Sequence, residues 1–146
     1  MKIKVAWIGK TKEPAIQSLT DEYLKRLSRY AEVEGVALKD DAALLKLCAK
    51  DARPRHALAV LDERGQQLTS EQLAKFLGDY QVRNSLPLLL AVGGADGFSD
   101  PVRQAATRVF SLGQMTLAHE LARVVLLEQL YRAFTILKGH PYHLGH

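Results

Sequence analysis

The sequence predicts one α/β domain with a largely parallel sheet, because short apolar segments alternate along the chain with amphipathic ones. A length of 146 residues with 47% hydrophobic content suits a single globular core. The chain has no internal repeat, low-complexity tract or linker. We therefore expect one domain over residues 1–146.

The predicted elements alternate in type along the chain. The short apolar segments are predicted strands, at residues 3–8, 33–38, 57–61, 86–92 and 108–112. The amphipathic segments are predicted helices, at residues 13–30, 41–52, 70–82, 101–106 and 117–138.

Several predicted helix ends carry capping residues. Thr69 with Gln72 matches a capping box, and Asp100 is a candidate N-cap before a proline. Thr116 is a candidate N-cap of the last helix, and Gly139 stands where a left-handed C-terminal cap belongs.

The last predicted helix is apolar on more than one side. Its first stripe is Leu117, Leu121, Val124 and Tyr131, and its second is Leu126, Leu130, Phe134 and Leu137. A helix that lies on a sheet needs only one apolar stripe. Because the other helices are short, the second stripe favours a homodimer over a helix buried within one subunit.

Composition bears on partners and compartment. A net charge of +4 and a pI near 9.3 fit a nucleic-acid partner, and they fit an ordinary basic surface equally well. The apolar run near the N-terminus is too short for a secretory signal or a membrane span, so we expect a cytoplasmic protein. Cys48 is the single cysteine, and its apolar neighbours predict an unreactive buried thiol.

A glycine-rich segment, GGADG at residues 93–97, directly follows the strand predicted at 86–92. Glycine lets backbone approach a ligand closely, and open α/β sheets bind ligands where their strands end. The segment has neither the spacing of a dinucleotide fingerprint nor the lysine of a P-loop. A ligand loop around Gly94 and a plain turn both fit these residues.

A second strand-end loop, SLGQMTLAH at residues 111–119, could line the same pocket. Met115 and Leu117 are apolar where a solvent loop would be polar. Such residues fit a wall against an adenine ring or a thioether, and they also fit a loop buried in the core.

The tail, HPYHLGH at residues 140–146, contains three of the five histidines. We expect no metal site there, because Pro141 prevents helical stacking and no cysteine or carboxylate lies close in sequence. Tyr142 offers a stacking face for a base, and His143 offers a group that titrates near neutral pH. The tail is therefore a candidate active-site segment, with a frayed terminus as the alternative.

The three segments together resemble the RlmH family of ribosomal RNA pseudouridine-N3 methyltransferases. The resemblance lies in GGADGF at residues 93–98, LGQMTLAHELARVVLLEQLYRA at 112–133, and GHPYH at 139–143. VAWIGKTKEP at 5–14 and LDERGQQLTSEQLA at 61–74 are also similar, so it covers essentially the whole chain. The order and spacing of the segments make the combination specific.

That resemblance implies a single SPOUT methyltransferase domain with a trefoil knot, a homodimer, and S-adenosylmethionine as cofactor. The cofactor would be bound by loops at Leu61, Gly94, Gly113, Gln114, Met115, Thr116, Leu117 and Ala118. The substrate would be 23S ribosomal RNA in the large subunit or the assembled ribosome. The N3 proton of the pseudouridine must leave, and His143 is the candidate base, with Tyr142 stacking on or orienting the target.

The sequence departs from the family pattern at two positions. Ala118 stands where the family usually has proline, and Leu144 stands where relatives commonly have a basic residue. Candidates to supply the missing cation are His146, or Arg123 or Arg132 of the partner subunit.

Two other functions are compatible with the sequence. Leu144 favours a dimeric RNA-binding or ribosome-assembly module that keeps the cofactor pocket without turnover. A domain that binds nucleotide phosphates around residues 93–97 would lack the usual lysine or magnesium ligands.

Overall fold

The computed structural model describes residues 1–144 and contains a five-stranded sheet with helices on both faces. The strands are β1 (Lys2–Ile8), β2 (Glu32–Leu38), β3 (Ala57–Gln67), β4 (Leu88–Val92) and β5 (Arg108–Ser111). The helices are α1 (Pro14–Leu27), α2 (Asp41–Cys48), α3 (Ser70–Arg83), α4 (Asp100–Ala105) and α5 (His119–Leu137). The strand order is β2-β1-β4-β3-β5 and every neighbouring pair is parallel, which confirms the predicted parallel sheet.

Strand β4 lies at the centre of the sheet, and all five of its residues are buried. Its side chains alternate between two hydrophobic cores because successive residues of a strand point to opposite faces. Leu88 and Leu90 belong to the larger core beneath α1, α3 and α5, and Leu89 belongs to the smaller core beneath α2 and α4. A large aliphatic side chain buried in this way contributes about 1.5–3 kcal/mol.

Strand β3 is longer than predicted, because it continues beyond Leu61 to Gln67. Its pairing with β5 shifts register between Leu61 and Gln66, so residues 62–65 form an irregular segment. A Cβ at Gly65 would lie 2.7 Å from the Val109 carbonyl oxygen, so the close approach of the two backbones there requires glycine.

Helix α5 packs against both α1 and α3. Leu126, Leu130 and Phe134 of its second stripe are each at most 3% exposed within one chain, and Phe134 stacks on Tyr30. The argument from this stripe to a dimer was therefore wrong, because α1 and α3 cover these three residues within one chain, although the sequence suggested that the other helices were too short to do so. Leu121 of the first stripe is 51% exposed, and the homodimer itself stays a prediction.

The predicted capping box of α3 and the left-handed C-terminal cap of α5 are both confirmed. The Thr69 hydroxyl accepts a hydrogen bond from the Gln72 N–H at 3.1 Å, and the Gln72 side chain accepts one from the Thr69 N–H at 2.8 Å. Gly139 has φ +70, and its N–H donates to the Ile136 carbonyl.

Two predicted N-caps are wrong. Helix α4 has Ser99 as its N-cap, and Asp100 is already the first helical residue. Helix α5 has Ala118 as its N-cap. The Thr116 hydroxyl does not cap the helix and donates a hydrogen bond to Glu63 on β3 at 2.8 Å.

Cys48 is half-buried at the end of α2. Burial raises the pKa of its thiol to about 11, so the thiol stays protonated and unreactive at neutral pH. Within residues 1–144, no helix has the length and apolar content to cross a membrane.

Candidate active site

A cleft of about 410 Å³ opens at the carboxyl edge of the sheet, where β4 and β5 end and beside residues 61–64 of β3. One wall is the turn at residues 93–97, which follows β4. The facing wall is formed by the loop after β5, and the first turn of α5 closes one side with His119 and Ala122. The two loops singled out in the sequence thus meet at one cleft, because parallel strands bring their carboxyl ends to one edge.

Most of the residues predicted to hold a cofactor line this cleft. They are Leu61, Gly94, Gly113, Met115, Thr116 and Leu117. Gln114 is exposed and does not line the cleft, and Ala118 does not line it either, since it begins α5. Their contact with a cofactor stays a prediction.

Backbone geometry leaves the glycine turn open toward the cleft. The Gly97 N–H donates to the Gly94 carbonyl at 3.0 Å, and Gly97 has φ +72, which favours glycine. A Cβ at Gly94 would meet no atom within 4 Å. The space beside Gly94 is therefore available to a ligand.

The loop after β5 is held to the rest of the cleft by side chains. The Ser111 hydroxyl donates to the Gly113 carbonyl at 2.7 Å and accepts from the Gly113 N–H at 3.1 Å. Thr116 ties the loop to Glu63, across the cleft. Met115, which lies between these anchors, is 86% exposed, so a large apolar side chain faces solvent at the cleft.

Two arginines share one carboxylate at the wall of the cleft. Asp62 accepts hydrogen bonds from the Arg64 backbone N–H at 2.9 Å and from its Nε at 3.2 Å, and it accepts one from Arg103 Nε at 3.1 Å. The hydrogen bond from the Arg64 side chain is the main cause of the lowered pKa of Asp62. Asp100 also lies 3.5 Å from the Arg103 guanidinium, although it is 84% exposed.

Tyr142 packs against α5 within the same chain and does not line the cleft. Its ring meets Tyr131 edge-on at 4.8 Å, and its hydroxyl donates to Glu128 at 3.3 Å. Burial, followed by the nearby Glu128 carboxylate, raises the pKa of the phenol to about 12. The hydroxyl is therefore protonated at neutral pH.

His143 lies between Arg132 and Glu71, also outside the lining of the cleft. Its Nδ1 is 3.0 Å from Arg132 Nη1, and its Nε2 is 2.7 Å from the Glu71 carboxylate. A guanidinium can only donate, so we assign Nδ1 as the acceptor and Nε2–H as the donor to Glu71. Arg132 is itself held by Glu128 at 2.6 Å.

Leu144 stands where a basic residue is expected, and the structure limits which other group could supply that charge. Leu144 is 88% exposed, and Arg123 is only 1% exposed, so Arg123 cannot contact RNA directly. Arg132 is part-buried and already paired with Glu128. The third candidate, His146, lies outside the described residues.

Comparison with known proteins places the chain in a family. A family model described as predicted SPOUT methyltransferase matches residues 1–143. The chain belongs to the SPOUT methyltransferase family. Proteins named ribosomal RNA large subunit methyltransferase H are among its relatives: one from Koribacter versatilis is 56% identical over 146 residues, covering 100% of both chains. Another, from Geotalea daltonii, is 42% identical over 156 residues and covers 98% of this chain and 99% of the relative.

The SPOUT fold is also found by structural comparison. The SpoU methyltransferase AviRb from Streptomyces viridochromogenes, solved in complex with the cofactor AdoMet, matches with a TM-score of 0.57 at 14% identity. The match covers 95% of this chain and 59% of the AviRb chain, so the present chain spans about three fifths of that structure. The predicted SPOUT-type α/β fold is confirmed, and the knot stays a prediction.

In this SPOUT chain, sequence reasoning missed the paired arginines of the cleft. Arg64 lies on an irregular segment of β3, and Arg103 lies on α4, 39 residues later in the sequence. The charged run DER after Leu61 is a local signal, because charges that directly follow a buried strand stand at the ligand-binding edge. Arg103, the second arginine of the pair, has no such local signal in the sequence.

Proposed function

We propose that this chain is a cytoplasmic S-adenosylmethionine-dependent enzyme that methylates N3 of a pseudouridine in large-subunit ribosomal RNA. Full-length identity of 56% to a ribosomal RNA large subunit methyltransferase H supports the substrate class. The observation that carries the proposal is the cleft where the turn at residues 93–97 meets the loop at 111–117.

The cleft fits the cofactor in two respects. The backbone beside Gly94 has room for a ligand where a Cβ would meet no protein atom. Met115 and Leu117 present apolar surface suited to an adenine ring or a thioether. When bound, the cofactor supplies an electrophilic methyl group on its sulfonium, so the residues of the chain need to bind, align and exclude water.

The proposed catalytic groups are His143 and Tyr142, and a second copy of the chain brings them to the cleft. Within one chain, neither residue lines the cleft. Exposed apolar side chains nearby, Leu117 at 40% and Leu121 at 51%, offer a surface that a second copy can cover. In that homodimer, Nδ1 of His143 from one subunit takes the N3 proton once it has released its hydrogen bond from Arg132, because Nε2 already carries a proton. Tyr142 stacks on or orients the target base.

The test is single-turnover methyl transfer to ribosomes from cells that lack this enzyme. His143→Ala should lower the rate by about 10²-fold, the usual contribution of a positioned base, with cofactor affinity near normal. Lys138→Ala, exposed at the end of α5 just before the tail, is the control and should retain most of the rate. A normal rate in His143→Ala would remove the imidazole from the proton transfer.

The second candidate is a dimeric RNA-binding or ribosome-assembly module without turnover. Leu144, 88% exposed where relatives commonly have a basic residue, favours it. Such a module would bind ribosomes and cofactor normally. Mass spectrometry of ribosomal RNA from cells with and without the protein would then find no difference in methylated pseudouridine.

A further inference from the structure

The loop between β1 and α1, residues 9–13, carries two lysines at the carboxyl edge of the sheet. Lys10 and Lys12 are exposed, and neither has an ion-pair partner among the residues that the structure describes. The loop leaves β1 through Gly9, whose φ of +92 favours glycine. The loop thus begins with a turn that is fixed by its backbone conformation.

Two residues of α5 hold this loop. The Glu120 carboxylate accepts a hydrogen bond from the Lys12 N–H at 2.7 Å. One turn further, Arg123 Nη1 donates to the Thr11 hydroxyl at 2.8 Å. Glu120 follows His119, which lines the cleft, and Trp7 of β1 is paired with Val92, which also lines it. The loop is therefore held at the rim of the cleft, next to lining residues, although none of residues 9–13 lines the cleft itself.

Arg123 is an unusual anchor, because it is a buried cation without a carboxylate contact. It is 1% exposed, and no carboxylate of residues 1–144 lies within 4.0 Å of it. Its other contacts are the Thr20 hydroxyl at 3.4 Å and the face of the Trp7 ring at 4.0 Å, and its Nε has no hydrogen-bond partner. Burying a guanidinium with so few partners costs free energy. An uncharged side chain could hold the loop without that cost, so the charge itself needs an explanation.

The consequence is a concentration of positive charge at the rim. An arginine stays protonated in proteins, and a buried charge is screened less by salt than a surface charge. Arg123 beneath Thr11 therefore adds to the field of Lys10 and Lys12 above it. Glu13, exposed at the end of the loop, and Glu120 reduce this field without making an ion pair with either lysine, and the charge of Glu120 also acts on Arg123.

We propose that this loop binds backbone phosphates of the substrate RNA through Lys10 and Lys12, and that Arg123 and Glu120 position it for that contact. The inference rests on the proposed function, since it assigns a surface to the RNA that enters the cleft. It also supplies positive charge near the cleft in a chain that has Leu144 at the tail position where a basic residue is expected.

The test compares charge removal at the rim with equal charge removal elsewhere. The rim variant is Lys10→Gln with Lys12→Gln. The control is Lys25→Gln with Lys50→Gln, two exposed lysines without an ion pair among the described residues, of which Lys25 lies in the last turn of α1, away from the cleft. Sedimentation with ribosomes from cells lacking this enzyme gives affinity between 50 and 200 mM KCl, and single-turnover transfer gives the rate at saturation.

The rim variant should weaken ribosome binding about tenfold or more and make the salt slope shallower by about 0.7–0.9 for each lost phosphate contact. Its rate at saturating ribosomes and its cofactor affinity should stay near normal. Equal losses in both variants, or an unchanged salt slope in the rim variant, would overturn the inference. Because binding is measured without turnover, an inactive wild-type enzyme would contradict the proposed function and leave this test intact.

A second pair of variants tests the positioning role of Arg123 without removing the charge. Thr11→Val deletes the hydroxyl that Arg123 contacts, and Thr11→Ser keeps it. The valine variant should bind ribosomes more weakly at a near-normal saturated rate, and the serine variant should restore binding. Weak binding in both variants, or normal binding in both, would remove Arg123 from this role.

Discussion

Gly94→Val tests whether the glycine turn contacts the cofactor, because the structure separates that contact from folding. Gly94 is not among the glycines with positive φ, and a Cβ there would meet no atom within 4 Å. The unfolding free energy should therefore change by no more than about 0.5 kcal/mol, as for an ordinary surface substitution.

When the cofactor is bound, the added valine side chain should crowd it, as an oversized side chain crowds a packed core. Such crowding costs about 1–3 kcal/mol, here taken from the binding free energy of the cofactor. That cost corresponds to about 5- to 150-fold weaker binding of S-adenosylmethionine. Isothermal titration calorimetry measures the affinity, and thermal melting measures the stability.

Gly78→Ala on α3 is the matched control, since its Cβ would meet Leu137 at 3.2 Å, and Gly78 does not line the cleft. It should alter stability and leave cofactor affinity unchanged. If Gly94→Val binds the cofactor as tightly as the wild type, Gly94 is not part of the site. If both variants lose affinity, binding follows stability and the contact argument fails.

Three further predictions follow from the fold. Ala118 has φ −55, and no described group accepts a hydrogen bond from its N–H, so Ala118→Pro should stabilise the protein by about 0.4–1 kcal/mol in urea unfolding; destabilisation would contradict it. Asp62→Asn should cost about 1 kcal/mol at pH 7, a value discounted because Arg64 is 66% exposed. Because the pKa of Asp62 is lowered, its contribution begins to be lost below the ordinary aspartate pKa of about 4 and is gone only below the lowered value, so wild-type and variant melting temperatures should approach each other as pH falls through that range. Leu121→Arg should keep the fold and lower the mass measured by light scattering, and a wild-type monomer at micromolar concentration would refute the homodimer.

The sheet and the position of the cleft could be predicted because both depend on local patterns. The run LLLAV of β4 is apolar throughout, as a strand covered on both faces must be. Once the sheet is parallel, every loop that follows a strand lies at the same edge. The meeting of Gly94 with Gly113 therefore follows from where the strands end and needs no knowledge of side-chain packing.

The charged wall of the cleft could not be predicted, because it depends on strand order. Asp62 and Arg103 meet because β3 lies between β4 and β5, which brings α4 beside the end of β3. The irregular segment at residues 62–65 also reads as a polar loop in the sequence. The partners of His143 are equally hidden, since Glu71 is 72 positions away.

The misreading of α5 changes where a second copy of the chain would bind. An all-round apolar helix needs more than one neighbour, and the sequence alone does not say whether these neighbours belong to the same subunit. Here α1 and α3 cover Leu126, Leu130 and Phe134 of the second stripe, so Leu130 and Phe134 report on folding and not on association. Of the residues in the two stripes, Leu117, Leu121 and Leu137 stay exposed. Leu117 lines the cleft just before α5, and Leu121 lies in the first turn of α5. A partner that covers Leu117 and Leu121 would be placed next to the loops that line the cleft, so association and completion of the proposed site would use the same surface.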